Sequence, residues 1–258
     1  MRYLLRYITF MVFYIRAVFG FCQAQPEYLE KTLHYLDNDP DSAIYYAKGF
    51  LRSKNNSLWS SELNAVIGKA FWVQANYDSS FYYYQLGLNS AEIGNQSEFV
   101  AHNMSGLGDV NLAQGKMSIA QDYYTQALRI YDSLGMPKRA AEVYTSIGFL
   151  FQRSNDLEKA RAYYDKSLAL DRYKNFTARI YLATWYGRMN RPDSALAIYY
   201  DLLQVPEIHD HKRLAAKIYL NGAIIHDQLG NHEKVIEFRA QAIRYNRQLG
   251  NFSALGIV

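Results

Sequence analysis

Gly108–Tyr124 reads GDVNLAQGKMSIAQDYY, and Gly148–Tyr164 reads GFLFQRSNDLEKARAYY. In both, a small residue is followed three positions later by Asn111 or Phe151, and four after that by Gly115 or Asn155. A second small residue, Ala120 or Ala160, comes five later, and Tyr124 or Tyr164 four after that. Every position is offset by 40 residues between the two segments. Self-similarity at a fixed period is the mark of a stacked array, in which each unit buries its apolar face only against its neighbours. The pattern predicts an all-α solenoid of helix hairpins. Such a solenoid is a binding surface, so it indicates a class of activity without naming a partner.

Further copies flank these two. The second reads Asn64, Ile67, Gly68, Phe71, Ser80, Tyr84, Gly87, and the third begins Met104, Leu107 before Gly108. The fourth carries Tyr144, Ile147 and Ser167 around the segment quoted above. The fifth reads Arg179, Leu182, Ala183, Tyr186, Ala195, Tyr199, Leu202, closed by Pro206. The sixth is looser: Tyr219, Gly222, Ala223, His226, Val235, Arg239, Ala242. A degenerate first copy survives around Asp41–Ala47. The Gly and Ala positions are where two helices cross closely, and the Tyr positions fill the gaps between units. Gly115, Asn155 and Asn190 fall where turns need positive φ. Tyr123-Tyr124, Tyr163-Tyr164 and Tyr199-Tyr200 are explained by packing and need no ligand.

Residue by residue the pattern resembles the tetratricopeptide repeat. The resemblance covers roughly residues 26–249 and implies a right-handed superhelical solenoid of antiparallel helix pairs, with about six repeats. The period of 40 is longer than the family's usual value of about 34. Long repeats of this kind resemble those of kinesin light chains and of the exported sensory regions of bacterial regulators. The step from Gly148 to Ala183 is only 35, and Asp171–Asn175 replaces the Leu-Gly extension seen at Leu134-Gly135 and Leu249-Gly250.

Residues 1–24 read as a secretory signal. Arg2 and Arg6 precede an apolar run from Tyr7 to Ile15, and Cys22-Gln23-Ala24 offers small residues at the two positions a signal peptidase inspects. Cleavage after Ala24 leaves Gln25 first and places the protein in the periplasm or outside the cell. The alternative is an uncleaved membrane anchor, against which Arg16 argues at about 2.5–3.5 kcal/mol. Phe21 before Cys22 is a poor match to a lipoprotein signal. The whole chain has 28 Lys+Arg against 24 Asp+Glu. Removing Arg2, Arg6 and Arg16 nearly balances them, which leaves no charge case for nucleic acid. The single cysteine leaves with the same segment, and with it any expectation of disulfides, thiol catalysis or cysteine metal sites.

Motifs for catalysis are missing. Gly106-Leu107-Gly108 falls inside a predicted helix with no strand before it, so it is not a dinucleotide loop. His209-Asp210-His211 has ligand character but lies in the loop expected after Pro206. Asp37, Asp39 and Asp41 precede a helix and suit capping. The expectation is therefore no enzyme, no cofactor and no metal site.

The family resemblance implies that first helices line the concave face. Their inward positions are one, four and five residues after the small Gly or Ala. Carried over, these include Lys69, Trp72, Asp109, Phe149, Gln152, Arg153, Arg188 and Asp227. An aromatic floor with basic neighbours suits an extended peptide or an amphipathic helix of a partner protein. The clamp some members use for a terminal carboxylate needs Asn one residue after the small position. Here those residues are Lys69, Asp109, Phe149 and Thr184.

At the other end, Ser253–Val258 reads as the start of a seventh first helix. The expected role is a protein- or peptide-binding scaffold; the alternative, by resemblance to the sensory halves of membrane regulators, is such a half whose transmembrane and output domains are missing. Ile224, Ile225, Val235, Ile236 and Ile243 are expected to leave an apolar end face open to self-association.

Overall fold

The computed structural model describes residues 27–36, 38–52 and 59–250. The signal segment and Ser253–Val258 lie outside these residues. Thirteen helices and no strand occur among the described residues. They are α1 (Glu27–Leu36), α2 (Pro40–Leu51), α3 (Ser60–Val73), α4 (Tyr77–Ile93), α5 (Ser97–Ala113), α6 (Met117–Ser133) and α7 (Pro137–Arg153). Then follow α8 (Leu157–Leu170), α9 (Phe176–Arg188), α10 (Pro192–Leu203), α11 (Pro206–Asp210), α12 (Lys212–Gln228) and α13 (His232–Gln248). Consecutive helices pair, α3 with α4 through α12 with α13, and each first helix also touches the first helix of the next pair. None of the described helices is long and apolar enough to cross a membrane.

The turns follow a strict rule. Residues at positive φ recur every twenty positions at Ala75, Asn95, Gly115, Gly135 and Asn155, and again at Asn190, Gly230 and Gly250. At each of the first five, the next amide bonds back to a carbonyl five residues earlier. Examples are Lys116 N to Asn111 O at 2.8 Å and Asp156 N to Phe151 O at 2.9 Å. This left-handed cap satisfies carbonyls that the helix end orphans. Asn76, Asp156 and Asn175 then cap the following helix through their side chains.

Burial explains the spacing. On α6 the buried residues are Ala120, Tyr124, Ala127 and Tyr131, a single stripe at helical period. On α5 they are Ala101, Asn103, Gly106, Leu107, Gly108, Val110, Asn111 and Leu112, covering most of the circumference. First helices are enclosed by their own partner and by the neighbouring pairs, whereas second helices keep an outer face. Fully burying a large side chain is worth roughly 1.5–3 kcal/mol, and Tyr124, Tyr164 and Tyr199 are all 0% exposed.

Three departures from the expected pattern are local. α8, α9 and α10 have 14, 13 and 12 residues, against 17 for α4 through α7. There Asn175 Nδ2 donates to Ser167 Oγ at 2.8 Å and Thr145 Oγ1 at 3.0 Å, while its Oδ1 accepts from Ala178 N at 3.0 Å. One buried amide thus ends one repeat and starts the next. The segment after Pro206 is a single helical turn, α11, rather than a loop, because proline fits the first helical position. In the sixth pair Arg239 is exposed, and Phe238 takes the ring position one residue earlier. Its partner is Gly222, where an added Cβ would stand 2.6 Å from the Phe238 ring. An apolar ring fills that crossing at no charge-burial cost, which Arg239 would incur. Of the five expected end-face residues, Ile225 and Val235 are buried, while Ile224, Ile236 and Ile243 are exposed.

Candidate binding groove

The first helices α3, α5, α7, α9 and α12 place their inward side chains in a connected row. Lys69 Nζ stands 4.1 Å over the Trp72 ring, and Trp72 Nε1 donates to the Asp109 carbonyl at 3.4 Å. Asp109 Oδ1 accepts from Tyr124 Oη at 2.8 Å and from Ser146 Oγ at 3.1 Å. Phe149 stacks on Tyr181 with centroids 4.5 Å apart and planes 11° apart. Lys217 Nζ sits 4.0 Å from the Tyr181 ring centre. Lys69, Trp72, Asp109, Phe149, Tyr181 and Lys217 are all half-buried, so each combines a fixed position with an accessible surface.

Electrostatics follow from that burial. The Tyr124 hydroxyl is pushed far above its ordinary range by burial and then by Asp109, so it remains a donor. Tyr181 shifts the same way for the same two reasons. Burial pushes the Lys217 ammonium down to about 8. His102, on α5, is pushed down to about 4 by burial and by the positive charges of Arg139 and Lys69. Glu62 is raised by burial and by Glu98.

The two arginines of the row act between repeats. Arg153 Nη1 donates to Leu112 O at 2.6 Å, and Arg188 Nη1 donates to Gln152 O at 2.5 Å. Both acceptors lie in the last turn of the preceding repeat's first helix, where carbonyls lack intrahelical partners. Gln152 itself is 4% exposed, and its Oε1 accepts from Tyr164 Oη at 2.7 Å. It supports the floor from beneath. Asp227 is exposed in the last turn of α12 and joins none of these contacts.

The positions carried over from the family therefore capture one end of the face. Ser146 and Tyr181 lie three residues before Phe149 and Thr184. His102 and Lys217 lie seven before Asp109 and Ile224. Extending the inward stripe by one and two helical turns toward each N-terminus reaches all four. Two histidines outside the row, His209 and His226, are engaged elsewhere. His209 bonds Tyr245 Oη at 2.6 Å and Leu203 O at 3.1 Å, and His226 Nε2 bonds Tyr200 Oη at 2.9 Å.

Residues 141–174, which span most of α7 and α8, match the family model for the tetratricopeptide repeat. That segment is a tetratricopeptide repeat by this match, and the chain around it has the tetratricopeptide-repeat fold. Its fold is similar to that of a Rap protein complexed with competence and sporulation factor, with TM-score 0.67 and 16% identity over 87% of this chain and 66% of the other. Aspartyl phosphate phosphatase F from Bacillus subtilis matches at TM-score 0.64 and 13% identity, over 85% of this chain and 58% of that one. The Rap conjugation gene regulator of plasmid pLS20, in complex with the Phr* peptide, matches at TM-score 0.61 and 14% identity, over 86% and 73%. The chain thus spans between 58% and 73% of the length of these three, and the likeness is one of fold. No curated protein sequence matches it.

Proposed function

We propose that the protein is a non-catalytic scaffold that holds a segment of a partner protein in its concave groove. The observation that carries this reading is the row from Lys69 to Lys217, in which half-buried aromatic and charged groups on five first helices touch one another. Rigid aromatic platforms flanked by charges are what recognition of a peptide requires. Two of the similar folds are of proteins in complex with competence and sporulation factor and with the Phr* peptide, which supports the class of partner. The signal reading of residues 1–24 puts this groove on the far side of the cytoplasmic membrane, either as a complete scaffold or as the sensory half of a longer regulator.

Immobilised protein exposed to an envelope fraction tests the reading. Wild type should retain a partner that Lys69→Glu and Trp72→Ala release, with helical melts that stay close to wild type. Equal retention by both variants would remove the groove from the account. Mass spectrometry of the protein from its native host should show Gln25 at the amino terminus, and an intact Met1 in the cytoplasmic fraction would overturn the export reading.

A further inference from the structure

Lys217 is a charge without an answer. It sits half-buried in the second turn of α12, and among the described residues its ammonium meets only the Tyr181 ring. Its lowered pKa has burial as the sole cause, so no carboxylate from α9, α10, α11 or α13 offsets the charge. The acidic groups of the neighbouring first helices are used elsewhere. Glu62, Glu98 and Glu142 gather around Arg139, and Asp109 is held by Tyr124 and Ser146. A half-buried, unpaired cation costs stability unless something else supplies its counter-charge. Immediately beside it lies the Phe149–Tyr181 stack, an apolar platform whose two residues each keep some exposed surface.

We infer that Lys217, Tyr181 and Phe149 form one subsite for an acidic side chain next to an apolar residue in an internal segment of a partner protein. The apolar side chain lies on the Phe149–Tyr181 stack and the carboxylate reaches Lys217. The occupant is internal rather than a chain terminus because the groove lacks the asparagine amides that would fix a terminal carboxylate. Where an amide is needed it offers Lys69, Asp109, Phe149 and Thr184. The cationic character continues along the floor, with Arg153 and Arg188 bonded only to neutral oxygens and Lys69 over Trp72. This inference rests on the groove being the binding surface and adds the chemistry of what it selects.

An array of twelve-residue peptides, acetylated and amidated, tests it directly with the full chain as probe. Each peptide fixes Phe or Leu near the centre and places Glu, Lys or Gln at one other position. Wild type should prefer Glu over Lys by about tenfold at one position adjoining the apolar residue, as charge-assisted hydrogen bonds warrant. Lys217→Gln should erase that preference while keeping the apolar requirement, and Lys217→Glu should invert it. Lys217→Gln should also melt at or above the wild-type temperature, since it removes an uncompensated charge; a lower melt would mean the ammonium serves the fold. Binding without charge preference at any position would overturn this inference and leave the groove reading standing. Stronger binding of peptides with a free terminal carboxylate would reassign Lys217 to a chain end and overturn it too. Wild type that retains no peptide would contradict both readings.

Discussion

Gly148 lies so close to the Tyr164 ring that a Cβ added there would stand 2.5 Å from Cε1. The same distance separates Gly108 from Tyr124, one repeat earlier. These contacts explain why a small residue and a tyrosine recur together sixteen positions apart: at these two crossings the helices lie too close for any side chain opposite the ring, while the fifth repeat admits the methyl of Ala183 beside Tyr199. Both rings are fully buried, so neither can swing aside.

Gly148→Ala should therefore destabilise the protein by about 1–3 kcal/mol, the cost of overpacking, despite alanine's better helix propensity. Gly49→Ala is the control. Nothing stands within 4 Å of the Cβ it adds to α2, and it should gain about 0.5–1 kcal/mol. Urea denaturation of both variants separates packing from propensity.

Ala75 occupies the left-handed cap that glycine or asparagine fills at every other such turn, with φ of 58°. A Cβ in that conformation costs about 1–2 kcal/mol. Ala75→Gly should raise the urea midpoint by an equivalent of roughly 1 kcal/mol, and an unchanged or lower midpoint would show that the turn tolerates alanine.

Arg153 joins α7 to the end of α5 through Leu112 O. Arg153→Ala should cost about 1.5–3 kcal/mol, the range for hydrogen bonds to charged groups. Hydrogen exchange should quicken at the α5–α7 junction more than at the amino-terminal pair. If exchange is unchanged there, the arginine belongs to the groove alone.

Acid should loosen the fold through His102 before Asp39 and Asp156 titrate, against an opposing contribution from Glu62, whose raised carboxyl takes its proton first in the folded chain. His102 binds its proton near 4 when folded and near its ordinary 6.5 when unfolded. The unfolded chain takes up that proton first, so this contribution is fully present above 6.5 and falls away between 6.5 and 4, by at most about 3 kcal/mol. His226 is shifted in the same direction by burial and Lys234. Asp39 and Asp156 have lowered values and lose their contribution only below the ordinary 3.8. His102→Gln should flatten the decline of urea midpoint with pH, and a parallel decline in that variant would assign the effect elsewhere.

Much of this was legible in the chain because the period ties each residue type to a steric role. Gly148 and Tyr164 could be read as a crossing, and Asn155 or Gly135 as caps, from spacing alone. Ala75 could not, since alanine carries no preference for positive φ. Phe238 was hidden for a different reason: Arg239 keeps the register of the repeat, and only packing against Gly222 moves the ring by one residue. Lys69, Trp72, Asp109 and Phe149 follow from the family's inward positions. Tyr181 and Lys217 lie on the same inward stripe, one and two turns earlier, and the family's three positions stop short of them; their contacts with each other and with Phe149 depend on how side chains lean from one repeat onto the next. Arg153 and Arg188 read as free basic residues, yet both reach carbonyls at the end of the preceding repeat's first helix, where the second lone pair is open to a side-chain donor.

The groove as the binding surface is tested most directly by a photocrosslinking amino acid placed at Phe149 and, separately, at the exposed outer residue Gln126 in the native host. An aromatic crosslinker at 149 preserves the platform on Tyr181. The account predicts a covalent adduct with another polypeptide from position 149 and none from 126. Adducts from 126 alone, or equal adducts from both, would contradict it.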